Sequence, residues 1–159
     1  ISIMKNSKKL FLIFLSVLIV AFVSCKKDSG GSITAPETFK PSSLVGEWTA
    51  TKDTSKNELK IAEEDKGGSK LGKVTAKVDN INIAFEIDKW NTDKDKEVQE
   101  FTLTHQITST ENSAAAGWTI TYTFKNSSSC VSVYKDKTGK TSANGSDTFT
   151  KKAAAATTK

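Results

Sequence analysis

Along most of the chain, apolar and polar residues alternate with period two. Trp118, Ile120, Tyr122 and Phe124 fall on one side of a run whose other side is Thr119, Thr121 and Thr123. Phe101, Leu103, His105 and Ile107 repeat the pattern against Thr102, Thr104 and Gln106, and Ile81, Ile83, Phe85 and Ile87 repeat it against Asn82, Ala84 and Glu86. Val74, Ala76 and Val78 do the same against Thr75 and Lys77, and shorter runs at residues 45–51, 130–134 and 147–151 fit as well. Successive side chains of a strand point to opposite faces. Alternation with β-branched threonine on the wet side therefore predicts half-buried antiparallel strands. Seven strands follow from these runs. Residues 55–66 can be read two ways. Ser55 and Glu58 match a capping box, and Gly67-Gly68 would stop a helix, yet Glu63, Glu64 and Asp65 would crowd its negative end. Leu59 and Ile61 also alternate as in a strand, so a short helix and an eighth strand both stay open.

Turn residues sit between these runs. Asp136-Lys137-Thr138-Gly139 and Asn144-Gly145 are expected between the last two strands, and residues 126–129 between the two before. Seven or eight short strands within residues 44–151 must close up or stack to hide their edges. The economical all-β solution is a small antiparallel up-and-down barrel.

The flanks read differently. Residues 1–3 precede the only methionine, Met4, and look like sequence ahead of the start. Lys5, Lys8 and Lys9 then lead into an apolar run at residues 10–23, shorter than the about 20 residues a membrane-spanning helix needs. The run ends Phe22-Val23-Ser24-Cys25, and a charged, glycine-containing stretch follows. This order resembles the lipobox of bacterial lipoproteins in its relaxed, spirochaetal form, because Phe22 stands where leucine is usual and Ser24 where glycine or alanine is. The resemblance implies that residues 1–24 are removed by a cut between Ser24 and Cys25. It also implies that the Cys25 thiol carries diacylglycerol and that its new amine is acylated, which anchors the chain to a membrane. Lys26, rather than an aspartate, follows the cysteine, and by the same resemblance this favours the outer membrane, on its periplasmic or surface face. Residues 25–43 hold both prolines and few apolar groups and read as a lipidated tether; residues 152–159 read as a disordered, low-complexity tail.

Gly46-Glu47-Trp48 opens the first strand of the 44–151 domain. It resembles the G-x-W signature of lipocalin-like barrels, in which the glycine admits close backbone approach and the tryptophan plugs the closed end. Gly46 and Trp48 are thus expected to be structural. That family's arginine over the tryptophan has no counterpart in a chain without arginine, and Lys151 or Lys152 is expected to cover the ring instead. Phe85, Leu103, His105, Trp118, Ile120 and Tyr122 face the interior and are the candidates either to line a pocket for a small apolar ligand or to pack as core.

Charge narrows the options. All 23 basic residues are lysine, against 18 acidic ones; without Lys5, Lys8 and Lys9 the balance is 20 − 18 = +2. With no arginine for bidentate contacts, nucleic-acid recognition is not expected. His105 is the only histidine and has no nucleophile or metal-ligand set around it in sequence, so no enzyme activity, cofactor or metal is expected. Residues 91–97 superficially match a calcium loop, but Lys96 occupies the glycine position and Thr102 the twelfth, which fits a solvated turn. Cys130 is left unpaired once Cys25 is acylated, as a half-buried thiol or as one half of an intermolecular disulfide. Two functions remain. One is a lipid-anchored outer-membrane lipoprotein whose barrel binds a small apolar ligand or a protein partner, such as a host protein. The alternative is a filled barrel acting as a structural or antigenic surface protein.

Overall fold

The computed structural model describes residues 36–153. The expected signal, the Ser24/Cys25 cut site and the residues after 153 lie outside the described residues. Eight strands run in chain order: β1 (Gly46–Ala50), β2 (Glu58–Lys66), β3 (Ser69–Val78), β4 (Ile81–Ile87), β5 (Phe101–Gln106), β6 (Thr119–Phe124), β7 (Ser129–Lys135) and β8 (Thr141–Lys151). Neighbours in sequence pair antiparallel, except β4 with β5, and β1 pairs with β8, which gives the order β4-β3-β2-β1-β8-β7-β6-β5. The pairing of the first and last strands makes one eight-stranded sheet, which curls into a nearly closed, all-β, lipocalin-like up-and-down barrel of the kind the alternation implies. One seam, between β4 and β5, has no ladder.

Residues 55–66 resolve as a turn followed by β2. The Asp53 carboxylate accepts from the amides of Ser55 and Lys56, so Ser55 caps no helix. Leu59 and Ile61 lie opposite Ala76 and Val74 and are at most 2% exposed. Burial of that two-residue period overrides the helix signals. Gly67 and Gly68 have φ of 59° and 85° and form the tight β2–β3 hairpin turn instead of ending a helix. Asn144-Gly145 corrects another expectation: it lies inside β8, beside a register irregularity between Val133 and Lys135. A Cβ at Gly145 would come within 2.6 Å of the Tyr134 carbonyl oxygen, so glycine serves close backbone approach there. Only residues 136–139 turn the chain between β7 and β8, with the Asp136 carboxylate accepting from the Thr138 and Lys140 amides.

The barrel's base carries two tryptophans. Trp48 is 2% exposed, donates its indole N–H to the Leu44 carbonyl at 3.1 Å and meets Phe124 edge-on at 5.2 Å. Gly46, at φ 145°, lets the Lys151 stem pass where a Cβ would lie 2.8 Å from its Cε. Neither lysine takes the expected place over the ring. Lys151 donates to the Ser43 carbonyl, and the ammonium of Lys152 sits 3.2 Å from Glu47. Trp90 opens a short helix, α1 (Trp90–Asp93), and rests on Gly72, where a Cβ would fall 2.5 Å from the ring. Its N–H donates to Glu63 at 3.0 Å.

The tether boundary also moves. Phe39 is buried and exchanges both backbone hydrogen bonds with Val98, and buried Pro41 opens the 3-10 turn Pro41–Leu44. The folded unit therefore takes in Phe39 and the residues after it, ahead of residue 44. At the other end Lys152, expected in the tail, donates its backbone N–H to the Glu47 carbonyl.

Candidate functional site

The interior is the first place to look for a ligand. Of the six candidates, Leu103, Ile120 and Tyr122 are 5%, 1% and 0% exposed and belong to one continuous hydrophobic cluster. Phe85 and Trp118 are half-buried and pack against that cluster, Trp118 with its ring 4.9 Å from that of Tyr134. Tyr122 meets Phe149 edge-on at 5.9 Å. These five side chains thus lie within the core cluster or pack against it. The Tyr122 hydroxyl has no partner among the described residues, and burial pushes its pKa upward. Cys130 is fully buried rather than half-buried, and burial raises its thiol pKa to about 12, which leaves it inert as a nucleophile.

His105 does not join the core. It stands at the seam, its ring stacked parallel on Phe85 at 4.6 Å. Glu111, from the loop after β5, completes the arrangement. Its carboxylate accepts from His105 Nε2 at 2.9 Å, from the Thr108 amide at 2.8 Å and from the Ala84 amide at 3.4 Å. Ala84 lies on β4, so one carboxylate on the β5 side satisfies a backbone donor on the opposite, unpaired edge. Burial pushes the Glu111 pKa up, but the Thr108 amide and the His105 imidazole outweigh it and hold the carboxyl below its usual range. The alternation singles out His105 and Phe85; Glu111 carries no sequence signal beyond being a loop acid.

A buried carboxylate stands at the barrel's far end. Asp147 of β8 is 3% exposed. It accepts from the amides of Lys52 and Thr148 at 3.0 and 2.7 Å, and from the Asn57 side chain at 3.0 Å. Successive amides converge on it as on a bound anion, with the protein supplying its own charge. Beside it lies a hollow of about 240 Å³ lined by Lys52, Asp53, Lys56, Asp79 and Ser146.

A larger trough, about 550 Å³, runs along the outside of β1–β3. Its floor and walls include Thr49 and Thr75 with Glu58 and Lys77. At its lower end Glu47 pairs with Lys152 at 3.2 Å and Lys60 at 3.9 Å. The smaller hollow is lined by polar and charged residues alone, whereas the trough also reaches Trp48, Ala50, Leu59 and Ala76 of the core cluster. Among the described residues no group of three or more His, Cys, Asp or Glu could hold a metal, and residues 91–97 pair their own charges, with Lys96 2.6 Å from Asp93.

Comparison with family models, with curated proteins and with solved structures gave no match to this chain.

Proposed function

We propose that the chain is a lipoprotein held at the outer membrane through acylated Cys25, and that its solid barrel meets a macromolecular partner with its exterior. One observation supports this choice over the small-ligand carrier: five of the six side chains that would line a ligand pocket lie in or against the core cluster, and none of the six lines either described hollow. A barrel of about eight strands is just wide enough for side chains to fill. In this reading the protein has no catalytic role, and the seam and the Asp147 cluster serve the scaffold.

Two measurements test it. The Cys25→Ser variant is expected to leave the detergent phase in partitioning, while the unaltered chain enters it at the mass of an acylated product. The detergent-extracted protein is expected to yield no stoichiometric apolar ligand by mass spectrometry and no saturable binding of a fluorescent fatty acid. Detergent partitioning of the serine variant at its mature mass would end the anchor reading, and stoichiometric ligand would end the solid-barrel reading.

A further inference from the structure

The barrel's outer surface divides by charge. On β1–β4 the outward positions alternate in sign: Glu47 faces Lys60, Glu58 faces Lys77, and Lys73 faces Glu86. On β5–β8 the outward positions run Thr102, Thr123, Val131 and Thr148 across one row of the ladder. The next row runs Thr104, Thr121, Val133 and Ser146. These two rows carry no charge, in a chain that is 26% charged; the row beside them, Gln106, Thr119, Lys135 and Thr141, adds a single lysine at the margin of the face. Among the described residues Val131, at 47% exposure, is the one exposed large hydrophobic side chain, and it lies within this face.

We propose that this face binds an uncharged polysaccharide, an inference that rests on the exterior-docking reading above. A charged polymer would lose hydration there without gaining a counter-charge. Threonine hydroxyls both donate and accept, as sugar hydroxyls do, and the hydroxyls of Thr104 and Thr121, 3.3 Å apart, keep further capacity for a ligand. Val131 and Val133 offer apolar contact for the C–H faces of sugar rings. The backbone ladder holds these groups on rigid strands, so little ordering is needed on binding. Size argues against a second copy of the chain as occupant. With strands about 4.8 Å apart and outward residues about 7 Å apart, the face covers on the order of 300 Å². That is well under the about 800 Å² each partner gives to a stable protein interface.

The test uses the full detergent-extracted chain with insoluble cellulose and chitin, and polygalacturonate as the charged counterpart. The chain is expected to be retained on a neutral polymer to the same extent at low and high salt. Thr121→Glu and Val131→Glu are each expected to cut retention at least tenfold, and Lys60→Glu on the opposite half to leave it unchanged. Val131 is exposed, so its substitution leaves the core intact, and circular dichroism checks the fold of both variants. No retention on either neutral polymer, undiminished retention by both variants, or salt-sensitive retention on polygalacturonate alone would overturn the proposal. Self-association abolished by Val131→Glu would overturn it in favour of a second copy. Failure here with no apolar ligand bound leaves the exterior reading standing; stoichiometric apolar ligand removes that reading itself.

Discussion

A single carboxylate, that of Asp147, ties the loop after β1 to the last strand. Burial alone would raise its pKa, but the Asn57 amide and the backbone N–H groups of Lys52, Thr148 and Asp53 overcome this and lower it. A folded pKa below the unfolded value gives stability that is fully present above the unfolded value, near pH 4, and lost as pH falls through the folded one. Asp147→Asn is expected to lower stability at pH 7 by about 1–3 kcal/mol, because its amide donors would face other donors. It should then lose less further stability than the unaltered protein between about pH 5 and pH 2. Urea melts across that range check it. The carboxylates of Asp53, Asp93, Asp95 and Asp136, also held low, titrate in both proteins, so the difference isolates Asp147. Equal acid losses would show that the cluster does not stabilise the ionised form. None of this is legible locally in sequence. Asp147 occupies an inward position of an alternating run, and its partners Lys52 and Asn57 are 95 and 90 residues away.

At the scale of elements, the alternation identifies every strand except β2, because Leu59 and Ile61 alternate in a segment that also carries helix-cap residues. Register faces are legible for the same reason: one face is buried, and a one-residue slip would turn every apolar side chain outward. Asn144-Gly145 misleads because a glycine needed for close backbone approach inside a strand looks the same in sequence as one needed for a turn. The seam is invisible for a different reason. Alternation says which residues face inward, but not which two strand edges stay unpaired. In the fold, the Glu111 carboxylate stands in for a missing strand carbonyl at the Ala84 amide. Glu111→Ala is expected to speed hydrogen exchange at the Ala84 and Thr108 amides at least tenfold while leaving the β6–β7 ladder unchanged. Unchanged exchange at both amides would mean that Glu111 does not clasp the seam; faster exchange throughout would mean that the seam is not a separable local feature.

At the scale of the whole molecule, continuity of the sheet depends on the pairing of β1 with β8, whose aligned residues are Trp48 with Lys151, Thr49 with Thr150 and Ala50 with Phe149. These strands lie at opposite ends of the described chain, so the core on one side cannot form without the other, and the barrel should unfold as one cooperative unit. Ile120 tests this. It is 1% exposed, on β6, opposite His105 and Tyr134. Ile120→Thr removes apolar volume and buries a hydroxyl, with an expected loss of roughly 2–4 kcal/mol. Thr121→Val, on the neighbouring outward position, should change stability by less than about 0.5 kcal/mol. Denaturant melts of the two variants, followed both by tryptophan fluorescence and by far-ultraviolet circular dichroism, measure size and cooperativity together. For Ile120→Thr the two probes should shift to one common midpoint, since Trp48 on β1 and Trp118 beside β6 report on a single core. Separate midpoints would show that β1–β4 and β5–β8 are independent sheets joined at one edge. An equal or larger loss at Thr121 would reverse the faces of β6, and the placing of Ile120 and Tyr122 in the core would go with them.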